Sequence, residues 1–299
     1  MTKAEYDKWK TELSNWGRWG KDDQLGASNL ITPAKRKQAA ALIKEGFTVS
    51  LANDVGTERT VDDPSPYEHV MTSASAAGAG DTLAVSFHGY YHTHIDAFAH
   101  RFFDGKMWNG YPYTEVTRED GAKKNAIYNL HNGIVTRGIL MDIPRLKGVP
   151  YLEPGTRIFI EDLEAWEKKA GVKVSAGDAL FIRTGRWTRR AKTGPWSIGV
   201  ETAGLDPSVI PWLKKRDISL LGSETAQDSF PPATGSELGS LALHDFVLIV
   251  LGVNLFDDTN LDALAQAAAA RNRWEFMLMA APLPVTNGTG SPLNPIAVF

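Results

Sequence analysis

Four of the seven histidines in this 299-residue chain lie in one short segment. They are His88, His92, His94 and His100, and Asp96 lies among them. The segment follows a run of residues typical of a β-strand, in which alternate side chains project to the same face. If the strand continues through the segment, His92, His94 and Asp96 lie on one face and can converge on a single ion.

Two imidazoles and a carboxylate suit a divalent cation such as zinc or manganese, with positions left open for water and substrate. His100 lies four residues after Asp96, close enough to exchange a proton with a water at the ion without binding the ion itself. A lone histidine is usually a surface residue or a satisfied core residue. Burying several titratable groups together is costly, however, unless a metal or a charged partner compensates. The cluster therefore predicts a metal site.

The sequence pattern around this segment predicts one α/β domain over residues 1–299, with a mixed sheet and flanking helices. Thr32-Pro33 has the residues of a helix start, and Gly46 those of a helix end. Residues 53–80 carry no strong period, as is often found in functional lids. Predicted strands cover 48–51, 82–87, 134–141, 179–183 and 218–221, and predicted helices cover 161–170, 244–251, 261–270 and a segment after Asp206-Pro207.

Composition excludes several classes of protein. The formal charge is -3 and no long Lys/Arg run occurs, which argues against a nucleic-acid partner. The chain has no cysteine, so any metal must be held by His, Asp or Glu. The first residues lack the apolar core of a signal peptide, and the longest apolar run, 246–253, is too short to span a bilayer. We therefore expect a soluble, cytoplasmic protein without a membrane partner.

The histidine segment resembles the His-x-x-x-His-x-Asp-x-x-x-His motif of the cyclase family of metal-dependent hydrolases, which includes kynurenine formamidase and isatin hydrolase. His94, Asp96 and His100 match the motif in order and spacing, whereas Tyr90 stands in place of its first histidine and His92 in place of a usual glycine. The similarity extends over nearly the whole chain, through residues 19–26, 29–33, 181–185, 257–261, 273–276 and 290–295. It implies the family's swivelling β/α/β fold.

The resemblance implies that His94 and Asp96 are ligands and that His100 is the catalytic acid/base. It leaves the third ligand open between His92 and His88, and strand parity and proximity favour His92. The family often adds a late histidine and a carboxylate that complete the site or hold a second ion. His244 and Asp257 stand at these places, and Asp257 is one methylene shorter than the usual glutamate.

The chemistry that follows is hydrolysis. A bound divalent cation lowers the pKa of its water and polarises a carbonyl group. The sequence contains no Gly-x-Ser-x-Gly motif, so a covalent acyl-enzyme is not indicated. The resemblance implies cleavage of a C–N bond in a small-molecule amide, either a cyclic amide or imide or an N-acyl arylamine. Alternatives are a lactonase or ester hydrolase, a metal-dependent lyase or polyketide cyclase, and a metal-dependent binding protein without catalysis.

Three further groups of residues carry weaker expectations. Trp9, Trp16 and Trp19, together with the resemblance, favour a homodimer or homotetramer in which the N-terminal segment packs against a partner. Three polar residues follow the predicted strand that ends near Gly222: Glu224, Gln227 and Asp228. Their loop could contact the substrate, although a solvated turn is the favoured interpretation. An apolar group after the motif forms either a substrate pocket or ordinary core: Phe102, Phe103, Met107, Trp108 and Tyr111.

Overall fold

The computed structural model describes residues 1–299. Its helices are α1 Lys3–Glu12, α2 Pro33–Ala40, α3 Ile143–Lys147, α4 Ile160–Ala170, α5 Arg186–Thr193, α6 Ile210–Arg216, α7 Ala242–Asp245 and α8 Asp262–Arg271. A π-helical turn, Phe246–Val250, continues α7, and 3-10 turns cover Gly26–Leu30, Trp108–Gly110, Tyr113–Glu115, Ile127–Leu130 and Pro207–Val209.

The strands are β1 Thr48–Ser50, β2 Glu68–Ser75, β3 Gly78–Ala84, β4 His94–Asp96, β5 Val116–Thr117, β6 Gly121–Ala122, β7 Ile134–Asp142, β8 Arg157–Ile158, β9 Ala179–Arg183, β10 Gly204–Leu205, β11 Leu220–Ser223, β12 Asn254–Asp257, β13 Glu275–Ala280, β14 Gly290–Pro292 and β15 Ile296–Val298. Nine of them form one mixed sheet in the order β1-β15-β13-β7-β9-β11-β12-β4-β14. Its centre, β7-β9-β11-β12, is parallel, and the pairs towards both edges are antiparallel.

The parallel centre of the sheet is the most continuously buried group of strands in the fold. Strands β9, β11 and β12 are buried at every position, as expected for parallel strands covered on both faces. A single cluster of 56 buried apolar residues joins these strands to the surrounding helices. The α/β architecture with a mixed sheet and flanking helices predicted from the sequence is confirmed.

Local signals placed most elements correctly. The Thr32 side chain accepts a hydrogen bond from the Lys35 backbone N–H at the start of α2, and Pro33 occupies the first turn. The predicted strands at 48–51, 134–141, 179–183 and 218–221 correspond to β1, β7, β9 and β11. The predicted helices at 161–170, 244–251 and 261–270 correspond to α4, to α7 with its π-helical turn, and to α8.

Residues 53–80 differ from the irregular lid that we expected. Their second half forms β2, which pairs with β3 in an antiparallel hairpin of its own, and nearly all of that hairpin is exposed. Strand β3 starts four residues before the predicted strand and ends at Ala84. Small and polar residues hide this hairpin from a search for alternating apolar residues, because neither of its faces is buried.

The N-terminal tryptophans contact the protein's own core. Trp9 and Trp19 pack against the main apolar cluster, and the Trp16 indole N–H donates to the Ile249 carbonyl at 2.7 Å. A homodimer or homotetramer built through this segment stays a prediction. No helix of the structure is long and apolar enough to cross a membrane.

Candidate metal centre

Strand β4 carries the centre of the site. It lies between β12 and β14, and His94 is paired with Asp257 on one side and with Pro292 on the other. His94 and Asp96 are two residues apart on this strand, so their side chains share one face. His94 Nε2 lies 3.5 Å from Asp96 Oδ1 and 4.0 Å from Asp257 Oδ2.

The rings of His88 and His94 are oriented by hydrogen bonds at the nitrogen that faces away from Asp96. His94 Nδ1 lies 2.7 Å from the His92 carbonyl, and His88 Nε2 lies 3.1 Å from the Thr289 hydroxyl. A proton at each of these nitrogens leaves the other nitrogen with a free lone pair, as metal-binding histidines require. His88 Nδ1 then lies 3.0 Å from Asp96 Oδ1.

His244 and Asp257 complete the cluster from the opposite side. His244 Nε2 lies 3.1 Å from Asp96 Oδ2 and 3.5 Å from Asp257 Oδ2, and its Nδ1 faces Asp245. Two overlapping groups of donor atoms result, each within 4.8 Å: His88, His94 and Asp96, and Asp96, His244 and Asp257. The structure thus brings together four of the predicted site residues: His94, Asp96, His244 and Asp257. Their role as metal ligands stays a prediction.

The donor set suits a divalent ion. Asp96 is fully buried, and its carboxylate oxygens face histidine nitrogens, with His88 Nδ1 3.0 Å from Oδ1; a hydrogen bond forms there only when a ring carries a proton between the two atoms. Unpartnered buried carboxylate oxygens are costly unless a cation balances them. Imidazole nitrogens with carboxylates are ligands of zinc and manganese. Either group of donor atoms can therefore hold a divalent ion, and Asp96 belongs to both groups.

The electrostatics of the cluster also call for a positive charge. Burial opposes a charged ring at His94, but hydrogen bonding to Asp96 and the charges of Asp96 and Asp257 raise its pKa to about 9. The pKa of His244 is likewise raised well above its usual value, because Asp245, Asp257 and Asp96 outweigh burial. Buried carboxylates therefore outnumber permanent cations here, and either ring protons or a metal ion must compensate.

His100 lies at the rim of this cluster. Its ring stacks on that of His88 with 3.8 Å between centroids and 3° between planes, and its Nε2 lies 3.7 Å from Asp96 Oδ2. Burial lowers the pKa of His100 to about 4, and repulsion from the other rings adds to burial. The ring is therefore neutral near pH 7, and in this environment it is a weaker base than a free imidazole. His100 belongs to neither donor group, and its role in proton transfer stays a prediction.

The structure places His92 elsewhere, because β4 begins only at His94 and the backbone before it is a turn. Strand parity therefore does not apply to His92. Its Nε2 faces Asp63 Oδ1 at 3.2 Å and the Ser65 carbonyl at 3.1 Å. The expectation that His92 converges with His94 and Asp96 is corrected by this geometry, and His88 occupies that place.

The loop after β11 makes hydrogen bonds to the elements that carry the site residues. The favoured interpretation of this loop, a solvated turn, is wrong, because its polar side chains are buried. Gln227 Nε2 donates to Asp257 Oδ1 at 2.7 Å, and Asp228 accepts from the backbone N–H of Leu243 and of His244. Glu224 Oε2 accepts from backbone N–H groups at the start of α5. These residues orient the ligand-bearing elements.

A cavity of about 210 Å³ opens beside the cluster. His88, His94, His100, His244 and Asp257 form its polar wall, and the rest of its lining is Gly89, Tyr90, Ala226 and Leu241. The apolar group after the motif does not line it. Met107 and Trp108 are fully buried in core clusters, so for these two residues core packing is the correct interpretation.

The structure thus shows that His88, and not His92, lies beside His94 and Asp96, a choice that the alternation of side chains along a strand could not make. The sequence signals that could have identified His88 and Thr289 were weak: His88 precedes a glycine, and Thr289 lies in Gly288-Thr289-Gly290 near the C-terminus. Gly290 matters to this packing, because a Cβ there would approach the Ile95 carbonyl to 2.7 Å and the His88 ring to 2.9 Å. A residue larger than glycine would push His88 out of the cluster.

Several known proteins are similar to this chain. A crystal structure described as a novel cyclase is 32% identical, with 96% of this chain and 100% of that chain covered at a TM-score of 0.84. Isatin hydrolase A from Ralstonia solanacearum shares the fold, with 21% identity, a TM-score of 0.58, and 85% and 92% of the two chains covered.

A kynurenine formamidase from Geobacillus thermodenitrificans (strain NG80-2) is 32% identical over 115 residues. This match spans 38% of the present chain and 46% of the formamidase, less than half the length of that relative. The family described as Putative cyclase matches residues 25–227, well over half of the chain. With the fold and the histidine–aspartate cluster, this match shows that the chain belongs to the Putative cyclase family.

Proposed function

We propose that this protein is a metal-dependent hydrolase that cleaves the C–N bond of a small amide, either a cyclic amide or imide or an N-acyl arylamine. The observation that carries the proposal is the convergence of three histidine nitrogens on Asp96, with the neutral ring of His100 beside them. The formamidase and isatin hydrolase among the similar proteins favour an amide over an ester.

We assign the ion, zinc or manganese, to the cluster of His88, His94, Asp96, His244 and Asp257. When bound, such an ion supplies a Lewis acid that makes water acidic and polarises a carbonyl group. Asp96 faces both halves of the cluster, and Gln227 holds Asp257 by a 2.7 Å hydrogen bond. The supporting hydrogen bonds keep the donor atoms in place when substrate enters.

His100 is the proposed acid/base. Its neutral ring accepts a proton from the attacking water and returns it to the leaving nitrogen, so that the C–N bond is replaced by a carboxylic acid and an N–H group. That N–H belongs to an amine when an N-acyl arylamine or a cyclic amide is cleaved, and to an amide when an imide is opened. Stacking on His88 fixes the plane of the ring, and its position outside both donor groups leaves it free for proton transfer. A non-catalytic binding protein would need no such group.

The cavity favours a substrate of modest size. Its volume of about 210 Å³ lies below the roughly 300–1,000 Å³ usual for pockets that hold drug-sized ligands. Leu241 and Ala226 add apolar surface to the otherwise polar lining. An amide of one or two small rings matches both this size and the mixed polar and apolar lining.

A substrate panel tests the proposal. Phthalimide, formanilide and dihydrocoumarin represent a cyclic imide, an N-formyl arylamine and a lactone, and their ring opening or deformylation is followed by absorbance. We expect turnover of at least one of the two nitrogen compounds, lost after chelation and restored by zinc or manganese. Preference for dihydrocoumarin would indicate a lactonase instead. Activity that survives removal of all metal would contradict the mechanism, and His94→Ala serves as the inactive control.

A further inference from the structure

Tyr90 lines the cavity at the point where the chain departs from the family's histidine motif. The family's first histidine would stand at this position, and in this chain His88 lies in the cluster instead. Tyr90 is therefore released from any ligand role. Of the residues that line the cavity, it is the only one whose side chain carries a hydroxyl group.

The backbone of Tyr90 is anchored by a buried arginine. The Arg186 guanidinium donates to the Tyr90 carbonyl, and it also donates to Asp258 Oδ1 at 2.6 Å and to the Glu224 carbonyl at 2.7 Å. Arg186 is only 3% exposed. This ties Tyr90 to the loops that follow β11 and β12, the same strands that supply Asp257 and its support.

The ring of Tyr90 is held on two further sides. It packs edge-to-face against Phe230, with 6.0 Å between centroids and 83° between planes. It also lies against Gly199, where a Cβ would approach Tyr90 Cε2 to 3.1 Å. The hydroxyl lies in the field of Asp257, Asp258, His244 and Arg101 and makes no hydrogen bond within the protein. A hydroxyl donor without a partner in the protein thus belongs to a residue that lines the cavity.

We propose that the Tyr90 hydroxyl donates a hydrogen bond to the carbonyl oxygen of the bound substrate. This inference rests on the proposed function, in which a carbonyl carbon is attacked in this cavity. A donor fixed before the reaction gains strength as negative charge develops on that oxygen, and needs no reorganisation at that moment. Tyr90 would therefore act mainly on kcat, and would select ligands that present a carbonyl group.

The test compares Tyr90→Phe with Tyr91→Phe. Phenylalanine keeps the contacts with Phe230 and Gly199 and removes only the hydroxyl. Tyr91 is the matched control, because its ring packs on Trp187 and it does not line the cavity. For Tyr90→Phe we expect kcat to fall by about 10²-fold on the best substrate of the panel, within the range for loss of one oxyanion donor. KM should rise by no more than about fivefold, as expected for one hydrogen bond to the bound substrate. Metal content and melting temperature should stay at wild-type values.

Binding supplies a readout that does not require turnover. Calorimetry with phthalimide should give a Kd about fivefold weaker for Tyr90→Phe than for wild type or Tyr91→Phe, as expected for one hydrogen bond.

Equal kcat and Kd in the two variants would overturn the inference and leave the proposed hydrolase intact. It is also overturned if Tyr90→Phe loses metal or melts early, or if wild type neither binds nor hydrolyses phthalimide, formanilide or dihydrocoumarin. If only dihydrocoumarin is hydrolysed and Tyr90→Phe slows its hydrolysis, the proposed amide hydrolysis is contradicted. The inference that Tyr90 donates a hydrogen bond to the substrate carbonyl is supported in that case.

Discussion

His92 and His94 are two residues apart, both rings are buried, and each lies beside a buried carboxylate. Their surroundings nevertheless lead to different chemistry. The inward-facing nitrogen of His94 shares Asp96 with His88 and His244, whereas Nε2 of His92 faces only Asp63 and the Ser65 carbonyl. One ring belongs to a site with several donors, and the other ties a loop to the domain.

The two carboxylates record the same difference. Burial raises the pKa of Asp63, and the attraction of His92 does not offset it. Burial also opposes ionisation of Asp96, but the four histidine rings around it, His100, His244, His88 and His94, outweigh burial and hold its pKa well below the usual range. A carboxylate kept ionised among several ring nitrogens can hold a cation. A carboxylate with one ring partner, such as Asp63, has too few neighbouring donor atoms to bind an ion, and its contact stabilises the fold instead.

The largest expected contrast lies in metal binding. His94→Ala should lose most of the bound zinc or manganese together with activity, because the inward-facing nitrogen of β4 disappears. His92→Ala should keep its metal, since it removes a ring outside both donor groups. Elemental analysis of the two purified variants decides between them, and metal loss from His92→Ala would restore His92 as a ligand.

The next effect separates His100 from the ligands. His100→Asn should retain metal while kcat falls by about 10²–10⁴-fold, the usual contribution of a general acid or base. Steady-state kinetics with parallel metal analysis measure both quantities. If His100→Asn released the ion as His94→Ala does, His100 would be a ligand. Full activity with full metal content would make it structural.

Acidity should weaken metal binding in a defined window. In the metal-free protein the pKa of His94 is raised from 6.5 to about 9, so its proton stabilises the metal-free fold below about pH 6.5, and this stabilisation is lost as pH rises through 9. An ion must displace that proton, and apparent affinity should therefore rise by about tenfold per pH unit between roughly 6.5 and 9. Competition titrations with a chelator across this range measure it; a pH-independent affinity would contradict a protonated His94.

The smallest expected effect concerns stability. His92→Ala leaves Asp63 buried without its ring partner, which should cost about 1–3 kcal/mol in the free energy of unfolding. His69→Ala is the control, because the His69–Asp81 pair on the exposed hairpin has the same chemistry at 3.0 Å but lies in solvent. Its loss should change stability by no more than about 0.5 kcal/mol. Urea denaturation of both variants tests this, and equal costs would show that burial does not matter here.

Much of the fold was predictable because its signals are local. Cap residues such as Thr32 act within one helical turn, and the apolar runs of β7 and β9 need no knowledge of their neighbours. The hairpin of β2 and β3 was missed for the opposite reason, since its small polar residues carry no periodic signal.

The sequence by itself determined the spacing of His94, Asp96 and His100, because these residues lie within seven positions of one another on a strand and the turn that follows it. It also indicated His244 and Asp257 through the family resemblance. Only the tertiary structure decided between His88 and His92. The reason is that β4 starts where pairing with β12 and β14 starts, and this pairing joins segments more than 150 residues apart. The supporting contacts of Gln227 and Thr289 depend on the same long-range pairing, and no local pattern encodes them.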